Sequence, residues 1–435
     1  MFILCIKSNK VINGDNWEDK TLNKIIENHQ QELDKCTDYA VKTITEICDT
    51  IGPRESASKE ERKAQEYWEN EMKQYADKVE VEEFDVHPHA FMGWVALDAT
   101  LMLVGMVCFY FKLPIVTLIT SIAAVICMAC EFLFYRQFLD PFFKKQTSCN
   151  VIGTRKPTGE VKRRIIFSGH CDSSWEWFFT YKGGSVFLKF MLVPSIVGLI
   201  TVTIVSLVTV IMAGPTALVE SGFVHVMSYV QLIFVPFFIA LYFFVNWKQV
   251  VHGANDNLTG CAASVSVLKY LEENDIRFEN TEVIAMTSGC EEAGLRGAHA
   301  YTKRHLKELQ EIPTVYFGMD TLTDFDDMAI YNRDMTGTVR NDQRVCNLMK
   351  AGSIKAGLDL PFRVVFFGAS DAAAVSKLGV PAATLAAMDP APARYYHTRL
   401  DKPDKLVPKS IRVGIDTCIQ SLYIFDEQGL QNEYK

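Results

Sequence analysis

Apolar positions along this chain follow two different rules. Between Trp17 and Ile51 they recur at helical spacing until Gly52-Pro53 breaks the pattern. Ser58 with Glu61 then makes a capping box that opens a second helix running to about Tyr75, and Val79 to Val86 alternates like a half-buried strand. Arg163 to Ser168, Glu282 to Ser288 and Thr314 to Met319 are apolar runs of strand length, and Cys261 to Glu273 is a helix. Strand and helix alternate, so the expected fold class is α/β, with a mixed β-sheet flanked by helices.

Four runs obey the second rule and are apolar almost throughout: Ala90 to Phe111, Leu113 to Phe134, Phe190 to Ala213, and Gly222 to Trp247. The first two carry one acid each, Asp98 and Glu131; the third has no charge, and the fourth has only His225. A membrane-spanning helix needs about 20 apolar residues, which each run supplies. They are read as two transmembrane hairpins, residues 90–136 and 187–247, inserted into a catalytic domain made of residues 1–89, 137–186 and 248–435. The alternative is a pair of buried hairpins over the sheet or an apolar dimer surface; buried core helices are usually shorter, about 15 residues or fewer.

Composition narrows the class. With 435 residues, 49% of them hydrophobic, the chain can bury one large core and still leave these runs over. A formal net charge of -8 gives no basic excess for nucleic acid, which is excluded as a partner. Twelve cysteines are scattered from Cys5 to Cys418 without a disulfide framework, and the Cys127–Cys130 pair lies in apolar sequence, where packing explains it. The apolar start, Met1 to Ile6, is too short for a signal-peptide core.

Candidate chemistry falls where strands end, the usual place for ligands in open α/β sheets. After Arg163–Ser168 comes Gly169-His170-Cys171-Asp172, a histidine able to ligate a metal with an acid placed to hold its other nitrogen. Gly253-Ala254-Asn255-Asp256-Asn257-Leu258-Thr259-Gly260 precedes a helix; Asp256 can bridge two cations, or Asp256 or Asn257 can simply cap the helix. Glu291-Glu292, before Gly294-Leu295-Arg296-Gly297, can divide metal binding from proton transfer. Asp320 ends a strand, and His397 sits in Tyr395-Tyr396-His397-Thr398. Each element alone is commonplace.

In this order the set resembles the dizinc peptidase family that includes bacterial leucyl aminopeptidase, aminopeptidase Y and glutamate carboxypeptidase, with its HxD, GAxDNxSG, EExGLxGS, strand-end Asp and YHTxxD motifs. The likeness extends to Gly52-Pro53-Arg54. Cys171 inside the first motif, Thr259 for serine and Ala298 for serine are departures that remove no ligand. The resemblance implies a zinc aminopeptidase-like fold and two Zn2+ ions, replaceable by other divalent transition metals. His170 and Asp320 would hold one, Glu292 and His397 the other, with Asp256 bridging. It further implies Glu291 as general base for attack by a metal-bound hydroxide on a peptide substrate, and Asp172, with Asp401, as supporting acids. Tyr395 or Tyr396 is read as packing beside His397, and Ser370-Asp371 as structural.

The expected function is thus a membrane-anchored zinc exopeptidase, most simply an aminopeptidase. A carboxypeptidase or dipeptidase on the same scaffold would want a substrate-binding arginine, for which Arg333 and Arg394 are the candidates. A glutaminyl cyclase or a non-catalytic receptor fits less well, because no ligand position has been lost. Arg136, Lys144, Lys145, Lys182, Lys189 and Lys248 lie on the catalytic side of the apolar runs, against Lys112 alone on the other, which predicts a cytoplasmic catalytic domain. Asp98 and Glu131 are expected to reach interfacial water near that side. Oligomeric state and side-chain preference are not encoded in any motif.

Overall fold

The computed structural model describes residues 15–216, 222–389 and 391–434. The Met1–Ile6 run and the loop around Glu220 lie outside them. The described strands are β1 (Lys78–Val86), β2 (Gln146–Arg155), β3 (Arg163–His170), β4 (Trp175–Trp177), β5 (Val245–Val250), β6 (Thr281–Ser288), β7 (Thr314–Leu322), β8 (Met328–Asp334), β9 (Val339–Arg340), β10 (Phe362–Val364) and β11 (Ala382–Ala387).

Nine of them form one mixed sheet in the order β1-β2-β6-β3-β7-β11-β8-β10, with β9 on β8. The centre is parallel: β3 pairs β6 on one side and β7 on the other, and β11 pairs β7. Alternation along each central strand sends side chains to opposite faces. Ile165 and Phe167 join Trp68, Leu258, Val265, Ile415 and Leu422 in the larger core, whereas Ile166 joins Leu295, Ala298, Tyr301 and Ala373 on the other face. The helices Asp15–Thr50, Leu258–Glu273 and Pro408–Gln428 thus cover one side, and Arg296–Glu311 with Asp371–Lys377 the other. Two helical layers over a mixed sheet match the expected α/β class.

Helix Lys59–Met72 begins as the capping motif predicts, with Ser58 accepting from the Glu61 N–H. The reciprocal half differs. The Glu61 carboxylate accepts from Ala57 N, Ser148 Oγ and Cys290 N, so it ties the helix start to the loop after β6.

Among the described residues, three helices are long and apolar enough to cross a membrane: Ala90–Tyr110, Pro114–Leu133 and Phe178–Ala213. On one side they pack together through Met102, Met106, Ala124, Leu199 and Val202. Their other sides expose large apolar residues, including Ile119 at 61% and Ile211 at 74%, a contiguous kind of surface that soluble monomers rarely show.

The fourth apolar run departs from the uniform helix expected over Gly222–Trp247. Helix Gly222–Val230 passes into a 3-10 turn, Gln231–Phe234, before helix Val235–Leu241 resumes. Pro236, in the first turn of the resumed helix, has no N–H to continue the earlier ladder. From Val245 the chain becomes β5 and pairs antiparallel with β4, so the second insertion stands on a two-stranded neck. Its outgoing helix also starts earlier than Phe190, at Phe178, across a non-helical Gly183-Gly184. Asp98 and Glu131 differ from expectation too. Both are buried in protein: Glu131 accepts from Leu139 N at 2.8 Å, and neither Asp98 oxygen has a hydrogen-bond partner.

Candidate metal centre

The parallel arrangement of β3, β6 and β7 brings three of the singled-out motifs to one edge. His170 ends β3, Asp320 lies near the end of β7, and the Glu291-Glu292 turn follows β6. The helix Leu258–Glu273 starts directly against them because two glycines permit contact. A Cβ on Gly169 would lie 2.3 Å from the Gly260 carbonyl carbon, and one on Gly260 would lie 2.2 Å from the Met319 oxygen. Asn257 is the helix cap, its side chain accepting from Gly260 N, which leaves the Asp256 carboxylate free.

That carboxylate lies between the two histidines. His170 Nε2 is 3.2 Å from Asp256 Oδ1, and His397 Nε2 is 2.9 Å from Oδ2. Glu292 Oε1 is 3.2 Å from His397 Nε2, and Glu291 Oε2 is 3.7 Å from His170 Nε2. Ligand-type atoms of His170, Glu291 and Asp320 form one close group, and those of His170, Asp256 and Glu292 a second. All the singled-out ligand candidates therefore meet in one cluster.

The surroundings hold these side chains in place. Asp172, fully buried, lies 3.3 Å from His170 Nδ1 and accepts from the backbone N–H groups of Glu291 and Glu292 at 3.0 and 3.1 Å, and from Ser56 Oγ at 2.6 Å. One carboxylate thus orients a histidine and both glutamates. Asp401 accepts from Asn255 N and Asp256 N at 2.8 and 3.1 Å, and burial pushes it up to about 7. Ser174 Oγ is 3.1 Å from His397 Nδ1, and the Tyr396 ring stacks on the imidazole at 4.0 Å. Tyr395 is turned away and donates to Asp324. Ser370 donates to Asp334, and Ser288 donates to the buried Asp371, so that pair supports the strand ends.

Two supporting residues were not singled out by the sequence. Arg54 is fully buried and donates to the carbonyls of Cys171, His252 and Gly253, joining the first two motif loops. Glu61 reaches the Glu291 turn through Cys290 N, and burial, then Asp172, push its carboxyl up to about 8. The only sequence signal for Arg54 was its place in Gly52-Pro53-Arg54; Glu61 resembled an ordinary capping residue.

The donor set fits divalent cations. Asp256 Oδ2, Glu292 Oε1 and Asp320 Oδ1 are buried atoms without a hydrogen-bond partner, although histidine nitrogens lie close to the first two. Buried polar atoms left this way cost free energy unless something else satisfies them. Burial pushes the Glu291 and Asp320 carboxyls well above the usual carboxylate range. Burial disfavours charge on Asp256 as well, but the His170 and His397 imidazoles hold it below that range. Four clustered carboxylates and two imidazoles form a nitrogen and oxygen set of the kind zinc accepts.

The cluster floors a pocket whose wall is aromatic. Phe91, Met92 and Trp94 come from the first apolar helix, Phe132 and Tyr135 from the end of the second, and Trp177 and Phe244 from the neck of the other insertion. Neither Arg333 nor Arg394 lines it; Arg333 is exposed, and Arg394 donates to the Tyr181 carbonyl.

Comparison with known proteins agrees with this geometry. Residues 241–422 match peptidase family M28. A solved aminopeptidase from Aneurinibacillus sp. strain AM-1 is 16% identical, with a TM-score of 0.53 over 89% of this chain and 93% of that one. BSAP, a zinc aminopeptidase from Bacillus subtilis, is 15% identical with a TM-score of 0.51 over 89% and 94%. A glutaminyl cyclase from an Acidobacteriales bacterium, 12% identical, has a TM-score of 0.53 over 90% and 95%. At such identities these likenesses speak for the fold. The matched stretch carries Asp256, Glu291, Glu292, Asp320 and His397 in the expected order, so this part of the chain matches the metallo-exopeptidases of peptidase family M28, and the chain as a whole has the fold of the solved zinc aminopeptidases.

Proposed function

We propose that the chain is a membrane-anchored, two-zinc aminopeptidase that removes residues from the amino ends of short apolar peptides. The observation that carries this reading is the junction of cluster and pocket: buried acids and histidines form the floor, and aromatic side chains from both apolar insertions form the wall. His170 and Asp320 would hold one zinc, Glu292 and His397 the other, with Asp256 between them; two divalent ions would balance the four carboxylates. Bound zinc supplies Lewis-acid polarisation of the scissile carbonyl and lowers the pKa of water. Glu291, close to His170 and raised by burial, accepts the water proton and returns it to the leaving amine. Asp172 keeps Glu291 on station through its backbone N–H. The aromatic wall binds an apolar side chain by removing it from water.

A free amino group suits the acid-rich floor, and no arginine in the pocket offers a partner for a terminal carboxylate. An acetylated peptide should therefore be cleaved much more slowly than its free-amine counterpart, whereas amidating the carboxyl end should matter little. Mass spectrometry of the released residue checks this, and a block by amidation would favour a carboxypeptidase.

That both insertions leave and rejoin the catalytic sheet supports a reading with all the motifs on one side of a bilayer, and the lysine and arginine bias favours the cytoplasmic side. In intact cells an impermeant thiol reagent should label Pro215→Cys and spare Gln428→Cys. Labelling at Gln428 without permeabilisation, or native protein recovered in the soluble fraction without detergent, would contradict the topology.

A further inference from the structure

The foot of the first insertion carries an aromatic and basic collar that no step of the reaction uses. Phe134 and Phe138 follow the second apolar helix and are exposed, and Phe142, 79% exposed, lies next to Phe143, whose ring abuts Gly93 in the first turn of helix Ala90–Tyr110. The loop between β10 and helix Asp371–Lys377 joins them. Lys377 Nζ donates to the Phe134 carbonyl at 2.6 Å, and the Phe367 ring lies 4.9 Å from Phe132. In the same loop Phe366 is 77% exposed, with Gly368 at φ +96° two residues on. Arg136, Lys144, Lys145 and Lys377 in the same segments are exposed, with Arg136 lying 5.8 Å over the Phe134 ring.

Adjacent residues of this loop have opposite company. Phe367 belongs to the pocket wall, in contact with Phe132 and with Trp177 at 5.7 Å, while Phe366 belongs to none of the described apolar clusters. Exposing a phenylalanine this fully, in a loop tied through Lys377 and Phe367 to a segment with three more exposed phenylalanines, is unfavourable in water. At the headgroup level of a bilayer it is favourable, because aromatic rings concentrate there and lysines and arginines attract anionic lipid. Phe134 follows directly on the apolar helix Pro114–Leu133, whose Ile119, Ile122 and Ile126 are exposed, and this chain continuity argues for lipid as the occupant.

We propose that the loop 365–368 is a membrane-docking element: Phe366, with Phe134, Phe138 and Phe142, inserts at the lipid headgroup boundary, and the same contact seats Phe367 in the wall of the active site. The proposal rests on the membrane-anchored reading above. It makes the pocket mouth open at the bilayer surface, where an apolar peptide partitions.

The test is photocross-linking of the full chain in vesicles of phosphatidylethanolamine and phosphatidylglycerol. Phe366→p-benzoylphenylalanine should acquire the mass of one phospholipid on irradiation, as should the same change at Val193, an exposed position in the long apolar helix. The change at Glu160, exposed in the turn between β2 and β3, should acquire none. Adducts at 193 but not at 366 would overturn docking and leave anchoring standing. Adducts at neither would overturn both, and equal adducts at 160 and 366, or a cross-link to a second copy of the chain, would overturn the docking element.

Discussion

Glu291→Gln is expected to lower kcat by about 100- to 10,000-fold, the usual effect of removing a positioned base, while leaving metal content unchanged. The physical reason lies in how the side chain is held. Asp172 grips the Glu291 backbone, not its carboxylate, so an amide of the same shape keeps the turn and loses only the proton acceptor. Metal analysis beside single-turnover kinetics separates the two roles. Near-normal turnover, or loss of metal in step with activity, would show that Glu291 is a ligand or a bystander.

Asp256→Ala is expected to remove metal and activity together. The carboxylate faces His170 with one oxygen and His397 with the other, so it touches both halves of the cluster. Its backbone is held independently by Asp401, and Asn257 caps the following helix, so the fold should survive. A folded variant with metal content well below that of the parent is the expected result; wild-type metal content would contradict a bridging role.

The contrast between these variants shows what the sequence could and could not reveal. His170, Asp256, Glu291, Glu292, Asp320 and His397 were legible because each sits beside a strand end or helix start with a local signature, and the parallel order of β6, β3 and β7 does the rest. Arg54 and Glu61 were not, because their meaning comes from partners more than 100 residues away. The fourth apolar run looked uniform in hydropathy, yet Pro236 and the pairing of Val245–Val250 with Trp175–Trp177 decide its course. The buried positions of Asp98 and Glu131 likewise follow from packing between helices, which a linear hydropathy pattern does not contain.

The aromatic wall was the least legible part. Phe91, Tyr135, Trp177 and Phe367 come from four separate stretches, and no motif links them. On the proposed reading its consequence is direct: the apolar insertions would serve as part of the binding site as well as an anchor. The second insertion is locked to the metal-site loop by buried Glu176, which binds Arg399 through both guanidinium arms at 2.6 and 2.7 Å, two residues from His397.

The central claim is that this chain's acid and histidine cluster holds two zinc ions that are needed for peptide hydrolysis. Titrating zinc into chelator-stripped protein in lipid nanodiscs, with leucyl-peptide cleavage followed at each addition, tests it most directly. The account predicts no cleavage without metal and a plateau at two equivalents; cleavage by the stripped protein, or a plateau at one equivalent, would contradict it.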